Sequence, residues 1–224
     1  MHVFYTPDIA TQCEMPEEEA GHCLRVLRLT VGDEVTLTDG KSQMLVASYN
    51  GKVVRFPEDT VRPMGRTATG VRAIKLDEDG QDRVIGMICV EEGSKESVLV
   101  ISEKGFGKRT DLDDENGEAI YRITNRGGKG VKTMNLTDKT GNLIGLEAVT
   151  DEQDLMLITK SGTAIRMAMD TIRVMGRATQ GVKLIELQKR NDTLMFGCVV
   201  PKEEVEEATE APEATAEDTT TAEE

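Results

Sequence analysis

Aromatic side chains and histidines are scarce in this sequence. Aromatic residues make up 3% of the 224 residues, tryptophan is absent, and both histidines, His2 and His22, lie near the start. A catalytic centre built on histidine is therefore excluded from the rest of the chain. Proteins that stack single-stranded bases on aromatic rings are also a poor match for this composition.

Long apolar runs and paired cysteines are missing as well. No apolar run approaches the roughly 18 residues that a membrane-spanning helix needs, and residues 1–11 lack the basic start and apolar stretch of a secretory signal. The four cysteines show no CxxC pair, which favours reduced thiols, and Cys13, His22 and Cys23 are too weak a set to predict a metal site. We expect a cytoplasmic protein without metal.

Negative charge is concentrated at the two ends. The formal net charge is -14, of which residues 1–40 contribute -6 and residues 202–224 contribute -9, so the part between them is almost neutral. Residues 202–224 hold almost no large apolar side chain and cannot bury enough surface to offset the entropy cost of ordering. We predict an N-terminal segment over 1–40, a globular part over 41–201 and a disordered acidic tail over 202–224.

The middle of the chain repeats three times. Three windows of sixteen residues, which we call the first, second and third windows, align on one glycine: 61–76 on Gly70, 121–136 on Gly130 and 172–187 on Gly181. A short apolar run with a glycine turn precedes each window. The runs VIGM at 84–87, LIGL at 143–146 and MFGC at 195–198, which align on Gly86, Gly145 and Gly197, follow the three windows. One repeat is therefore about 50–60 residues long.

Each repeat is typical of four short strands. The runs at 44–47, 98–101 and 155–158 are four residues long, apolar and bounded by turn residues. Asn50-Gly51, Lys104-Gly105 and Ser161-Gly162 supply the positive φ angles of tight hairpins. The sequence predicts an all-β fold, a partial β-propeller of about three four-stranded blades, with a short α/β segment before it. A β-sandwich is the alternative.

Basic residues recur at fixed positions in the repeats. Arginine or lysine stands eight and four residues before the anchor glycine, two residues after it, and four residues after the hairpin glycine. The three windows together contain 11 basic residues and one acidic residue. The candidate set is Arg62, Arg122, Arg173; Arg66, Arg126, Arg177; Arg72, Lys132, Lys183; Arg55, Arg109, Arg166; and Lys129 beside the second anchor glycine.

Blades that repeat around an axis would place these cations along an arc. A polyanion with regular charge spacing is the natural partner, and the arginine fork suits phosphate because it donates two aligned hydrogen bonds. With few aromatics and no recognition helix, we expect the chain to bind duplex DNA through phosphate and shape and not through base edges. The alternative is that these arginines pair with carboxylates of neighbouring blades.

Residues 41–200 resemble the C-terminal domain of the DNA gyrase A protein. The resemblance is carried by 61–72 (VRPMGRTATGVR), 50–56 (NGKVVRF), 105–110 (GFGKRT) and 174–182 (VMGRATQGV). It implies a β-pinwheel of which this chain has about the last three blades, with a basic rim that wraps duplex DNA and directs supercoiling. The family's acidic tail, which tempers wrapping, is similar to 202–224 in position and composition.

The same resemblance implies what this chain does not do alone. The breakage-reunion tyrosine and the ATPase of the topoisomerase lie in other parts of the family, so we expect no catalysis, no cofactor, no small-molecule substrate and no membrane partner. The family's partners are the gyrase A N-terminal region and the gyrase B protein. Residues 125–130 (NRGGKG) are similar to the gyrase box but stand in a later blade.

Residues 1–40 resemble a different family. MHVFY at 1–5, HCLRVLR at 22–28 and Asp39-Gly40 are similar to the start of the methyltransferases that modify uridine in 16S rRNA, which is part of a PUA-like RNA-binding domain. The chain thus looks chimeric, with a junction near Gly40-Lys41. A fragment of an RNA methyltransferase and an inert interaction propeller are the alternative functions. Residues 34–40 are a candidate strand for the first blade, and 16–29 a candidate amphipathic helix.

Overall fold

The computed structural model describes residues 3–5, 17–25, 28, 30, 36–38, 42–62, 64, 67–78, 80–91, 93–187 and 192–202. These residues form one α-helix and thirteen strands: β1 (Val3–Tyr5), α1 (Glu17–Arg25), β2 (Thr36–Thr38), β3 (Gln43–Ser48), β4 (Lys52–Pro57), β5 (Val84–Val90), β6 (Ser97–Ser102), β7 (Phe106–Asp111), β8 (Val131–Lys132), β9 (Leu143–Val149), β10 (Gln153–Thr159), β11 (Ala164–Ala168), β12 (Val182–Lys183) and β13 (Leu194–Pro201). Among these residues, no helix has the length and apolar character to cross a membrane.

The N-terminal segment pairs with itself. Strand β1 runs parallel to β2, with Val3 opposite Thr36, and α1 lies between them in the sequence. The expectation that 34–40 adds a strand to the first blade is wrong. The described part of this stretch, β2, pairs with β1, and both sides of the β3–β4 hairpin are already occupied, because β5 pairs with β3 and β8 pairs with β4.

Each repeat builds its blade around one hairpin. The first blade has the strand order β5-β3-β4-β8, the second β9-β6-β7-β12 and the third β13-β10-β11. The three hairpins, β3–β4, β6–β7 and β10–β11, turn at the predicted positions, where Gly51, Gly105 and Gly162 have φ angles of 79°, 80° and 87°. The prediction of three blades in a partial pinwheel is confirmed.

The fourth strand of a blade comes from the next repeat. Strand β8 follows Gly130 of the second window but pairs with β4 of the first blade, with Val131 opposite Val53. Strand β12 follows Gly181 of the third window and pairs with β7 of the second blade. The sequence pattern predicted four strands from each repeat, and this assignment is corrected. Residues 71–76, which follow Gly70, form no strand. Among the described residues, the third blade has three strands.

The anchor glycines permit this exchange of strands. Gly130 has a φ angle of 73°, and a Cβ atom placed on it would lie 2.6 Å from the carbonyl oxygen of Val53. Gly181 has a φ angle of 81°, and its Cβ would lie 2.7 Å from the carbonyl oxygen of Gly107. Only glycine allows both the left-handed conformation and the close approach of the two backbones.

The core lies between consecutive blades. We call the face of a blade that meets the following blade its far face, and the opposite face its near face. The far face of the first blade packs against the near face of the second, and that of the second against the third. The paired residues are Leu45 and Ala47 with Val98 and Val100, then Leu99 and Ile101 with Leu155 and Leu157, all at most 1% exposed. Continuous apolar runs arise because both faces of β3 and β6 are buried.

The third repeat departs from the other two in its last strand. In the first two blades, Ala47 pairs with Gly86 and Ile101 pairs with Gly145. In the third blade, Ile158 pairs with Phe196, and Gly197 lies one residue later, opposite Leu157. The pattern that aligned Gly197 with the other two glycines is therefore one residue out of register, and a phenylalanine occupies the glycine position.

Candidate nucleic-acid interface

The first two windows form one connected surface. Gly127 N donates to the Ala73 carbonyl at 2.7 Å, and Lys75 N donates to the Gly128 carbonyl at 2.8 Å. Arg126 Nη1 adds a hydrogen bond of 2.9 Å to the Arg72 carbonyl. The loop at 126–128 of the second window is therefore fixed on the segment 72–75 of the first window.

The second and third windows repeat this contact. Arg177 Nη1 donates to the Lys132 carbonyl at 2.7 Å, and Asn135 N donates to the Thr179 carbonyl at 3.0 Å. The equivalent contact of two successive windows shows that the arrangement belongs to the repeat and not to one loop. We call this surface, which the described residues of the three windows form across two blade junctions, the basic band.

Most of the candidate cations in the basic band face solvent. Among the described residues, no carboxylate lies within ion-pair distance of six of them, and the seventh, Lys183, pairs with Glu186 at 2.7 Å. An exposed cation without a partner is hydrated and free to exchange that hydration for a phosphate oxygen. The six are Arg62, Arg72, Arg122, Lys129, Lys132 and Arg173.

The arginines four residues before the anchor glycine have a second task. Arg126 and Arg177 are half-buried, and each uses Nη1 to hold the carbonyl of the preceding window. A guanidinium group that donates to a backbone carbonyl has fewer N–H groups left for phosphate. These two arginines therefore add positive charge and hold the band together, and they are weaker phosphate donors than the exposed cations. Arg66, the candidate at this position in the first window, lies outside the described residues.

Two of the three arginines that stand four residues after the hairpin glycine are packed inside the fold. Arg55 is 5% exposed, and its Nη1 donates to Asp113 at 3.0 Å and to the Tyr121 carbonyl at 3.2 Å. Alternate residues of a strand share one face, so Arg55 lies on the far face with Val53, against the second blade.

The second repeat buries this position in the same way, whereas the third repeat leaves it exposed but paired. Arg109 is 7% exposed, forms an ion pair with Asp151 and donates from Nε to the Ile172 carbonyl at 2.9 Å. Arg166 pairs with Asp154 at 2.7 Å. We therefore withdraw Arg55, Arg109 and Arg166 from the candidate DNA-binding set, because here the alternative of internal pairing describes the geometry.

A buried lysine outside the candidate set supports the band. Lys108 is 0% exposed, and its Nζ donates to the carbonyls of Gly176 and Arg177 at 2.7 and 2.6 Å. Loss of solvent, and secondarily the nearby Arg177 charge, lowers the pKa of Lys108 to about 8. The signal was available in the sequence, since the equivalent positions of the other hairpins hold Val54 and Ile165.

Comparison with known proteins places these blades in a family. A family model described as the DNA gyrase C-terminal domain, beta-propeller, matches residues 43–91, 96–150 and 153–196, which is one block for each blade. A second model, the RNA methyltransferase PUA domain, matches residues 16–43. The two matches meet at Gln43, two residues after the predicted junction.

Curated relatives are similar over most of this chain. The DNA gyrase A protein of Staphylococcus aureus strain MRSA252 is 41% identical over 181 residues, which cover 81% of this chain and 19% of the relative. The same protein of strain NCTC 8325 / PS 47 is 42% identical over 179 residues, covering 80% and 19%. The chain thus spans about a fifth of the length of these relatives.

Solved structures share the fold. The C-terminal domain of DNA topoisomerase IV superposes with a TM-score of 0.64 at 20% identity, covering 73% of this chain and 48% of that one. The DNA gyrase A C-terminal domain superposes with a TM-score of 0.60 at 24% identity, covering 70% and 50%. The matched part is about half of each solved chain.

Proposed function

We propose that this chain, which belongs to the DNA gyrase C-terminal domain family, binds the phosphate backbone of duplex DNA along its basic band. The observation that carries the proposal is the continuity of that band. Seven exposed candidate cations follow one surface across two blade junctions, and six of them have no carboxylate partner among the described residues. Such an array neutralises a stiff polyanion and releases its condensed counterions.

The chemistry of the band favours duplex phosphate over unpaired bases. The three windows contain one aromatic residue, Tyr121, which is 0% exposed and hydrogen-bonded to Thr133 Oγ1 at 2.6 Å. Without an exposed ring, bases of a single strand have no surface to stack on. Arginine and lysine side chains on a rigid curved surface suit the fixed spacing of duplex phosphates.

The proposed role is binding and not catalysis. The match is to the C-terminal domain and not to the catalytic portion of gyrase. In an assembled topoisomerase, the bound DNA would be wrapped around the blades and presented for strand passage, which would set the direction of supercoiling. The proposed partners are the gyrase A N-terminal region and the gyrase B protein, and the proposed location is the cytoplasm.

Salt dependence tests this proposal. We expect fluorescence anisotropy with a labelled duplex of mixed sequence to show binding whose log affinity falls with log salt at a slope near -5, for about six phosphate contacts. A single strand of the same length should bind more weakly, and a second duplex of unrelated sequence equally well. A flat salt response, or no binding at low salt, would contradict the proposal.

A further inference from the structure

The two ends of the arc of blades carry the two halves of one interface. Within the chain, each blade is completed by a segment of the following repeat, as β8 completes the first blade and β12 the second. In the described structure no strand of a further repeat pairs with the third blade, so β11 is an edge strand. The segment after Gly70 is the first-repeat equivalent of β8 and β12, and it pairs with no strand.

The space around Gly70 and Gly162 identifies both unfilled positions. Among the described residues, nothing lies within 4 Å of a Cβ placed on Gly70, whereas Gly130 and Gly181 meet a backbone carbonyl at 2.6 and 2.7 Å. In the described part of the chain, nothing lies within 4 Å of a Cβ placed on the hairpin glycine Gly162 either. In contrast, Leu136 lies 2.9 Å from the Cβ position of Gly51 in the first hairpin, and Ile185 covers the second.

Burial of the apolar faces agrees with the glycines. On the far faces of the first two blades, Leu45, Ala47, Leu99 and Ile101 are each 0% exposed. Their equivalents in the third blade, Met156 and Ile158, are only partly buried. At the other end of the arc, Met87 is 62% exposed, although its equivalent in the second blade, Leu146, is 4% exposed.

We propose that a second copy of this chain fills both positions, so that two copies close head-to-tail into a ring of six blades. Residues 71–76 of one copy add the missing strand to β11 of the other, with Val71 opposite Ala164 and Arg72 opposite Thr163. This register is the one that β8 and β12 adopt on β4 and β7. The near face of the first blade then covers Met156 and Ile158.

The length of the solved relatives supports closure with two copies. This chain covers 48% and 50% of the two solved C-terminal domains, so a whole domain of this fold has about twice the blades found here. A head-to-tail contact that closes on itself gives a ring, and two identical arcs of three blades supply such a ring without any other protein. The basic band would then continue from Lys183 of one copy to Arg72 of the other.

One pair of side chains distinguishes this contact from the internal ones. Phe196 occupies the position of Gly86, and the Cβ position of Gly86 lies 3.3 Å from Leu146 Cβ of the next blade. Phe196 of one copy therefore meets Met87 of the other. Both are exposed in the single chain, at 55% and 62%, and sulfur–aromatic contact suits a flexible methionine.

Sedimentation velocity of the full chain without DNA tests this assembly. We expect a particle of twice the 24.5 kDa chain mass as concentration rises from about 1 to about 100 µM. Phe196→Arg and Met87→Glu should each raise the dissociation constant at least about tenfold, because each leaves a charge at an apolar contact. Val174→Glu is the matched control, since Val174 is 48% exposed but lies outside this contact, and it should leave the mass unchanged.

Mixing the two charged variants gives a test that misfolding cannot imitate. In a mixed ring, one junction pairs Phe196 with Met87 and the other pairs Arg with Glu, so the mixture should recover the two-chain mass that each variant alone has lost. Single chains at the highest concentration, assemblies larger than two copies, or a mixture that stays monomeric would each overturn the proposal.

Discussion

Removal of the cations two residues after each anchor glycine is the sharpest test of the basic band. The variant Arg72→Gln, Lys132→Gln, Lys183→Gln removes one exposed cation from each window. The backbone carbonyls of Arg72 and Lys132, which accept hydrogen bonds from Arg126 and Arg177, are unchanged by these substitutions. The fold of the band should therefore survive.

The size of the effect follows from counterion release. Each phosphate contact contributes about 0.9 to the slope of log affinity against log salt, so three lost contacts should reduce the magnitude of the slope by about 2.7. At about 0.1 M salt, each contact is equivalent to about an eightfold change in affinity, and three to about 500-fold. Lys183 already pairs with Glu186, so its share should be the smallest of the three.

The assay compares this variant with one of equal charge. Lys95, Lys139 and Lys160 are exposed and lie outside the three windows, so their triple change to Gln alters net charge by the same amount. Anisotropy titrations at several salt concentrations should show the full loss for the first variant and less than about a tenfold loss for the second. Equal losses would mean that net charge attracts DNA, and the basic band would then have no special part in binding.

Three further predictions concern the support of the band. Between about pH 8 and pH 10.5 the unfolded chain binds more protons than the folded chain, because the pKa of Lys108 is lowered on folding, so the free energy of unfolding should rise with pH. Lys108→Met should abolish this rise. Chemical denaturation at both pH values measures it, and equal pH dependence of variant and parent refutes it. Gly130→Ala should destabilise the chain by more than about 2 kcal/mol, because its Cβ would contact the Val53 carbonyl. Gly70→Ala has the same left-handed strain but no such contact, so it should cost about 1 kcal/mol in single chains. Similar costs for the two variants would contradict the strand exchange. Arg55→Met should lower stability by about 1–3 kcal/mol, because it leaves buried carbonyls without a donor, yet leave the salt slope of DNA binding unchanged; a reduced slope would return this arginine to the interface.

The repeat, the hairpins and the location of charge could be predicted from the sequence. Gly51, Gly105 and Gly162 are read as turns because few other residues adopt their φ angles. The helix expected at 16–29 is present as α1 over Glu17–Arg25. The concentration of cations in the windows is likewise a property of residue order alone. The individual roles of the DNA-binding candidates, the domain boundaries and the disorder of the tail stay predictions.

The use of each arginine could not be predicted. Arg55 and Arg72 recur at equally regular positions, yet Arg55 is buried beside Asp113 and Arg72 is exposed. Recurrence tells how often a position is basic, but not which face of a strand it shares or what the next blade brings to that face. Lys108 was missed because the candidates were chosen from positions that are basic in every repeat, and this position is basic in one repeat only.

The sequence determined the features that depend on neighbouring residues, and the tertiary structure decided those that depend on contacts between distant segments. By itself, the sequence determined that there are three units, where each turns and where positive charge collects, since these depend on neighbouring residues and on backbone preferences. The tertiary structure decided that a strand completes the blade before its own, as Val131 does with Val53, and that Arg55 and Arg109 are buried between blades. Both depend on which segments meet across 50 or more residues, and no local pattern encodes that choice.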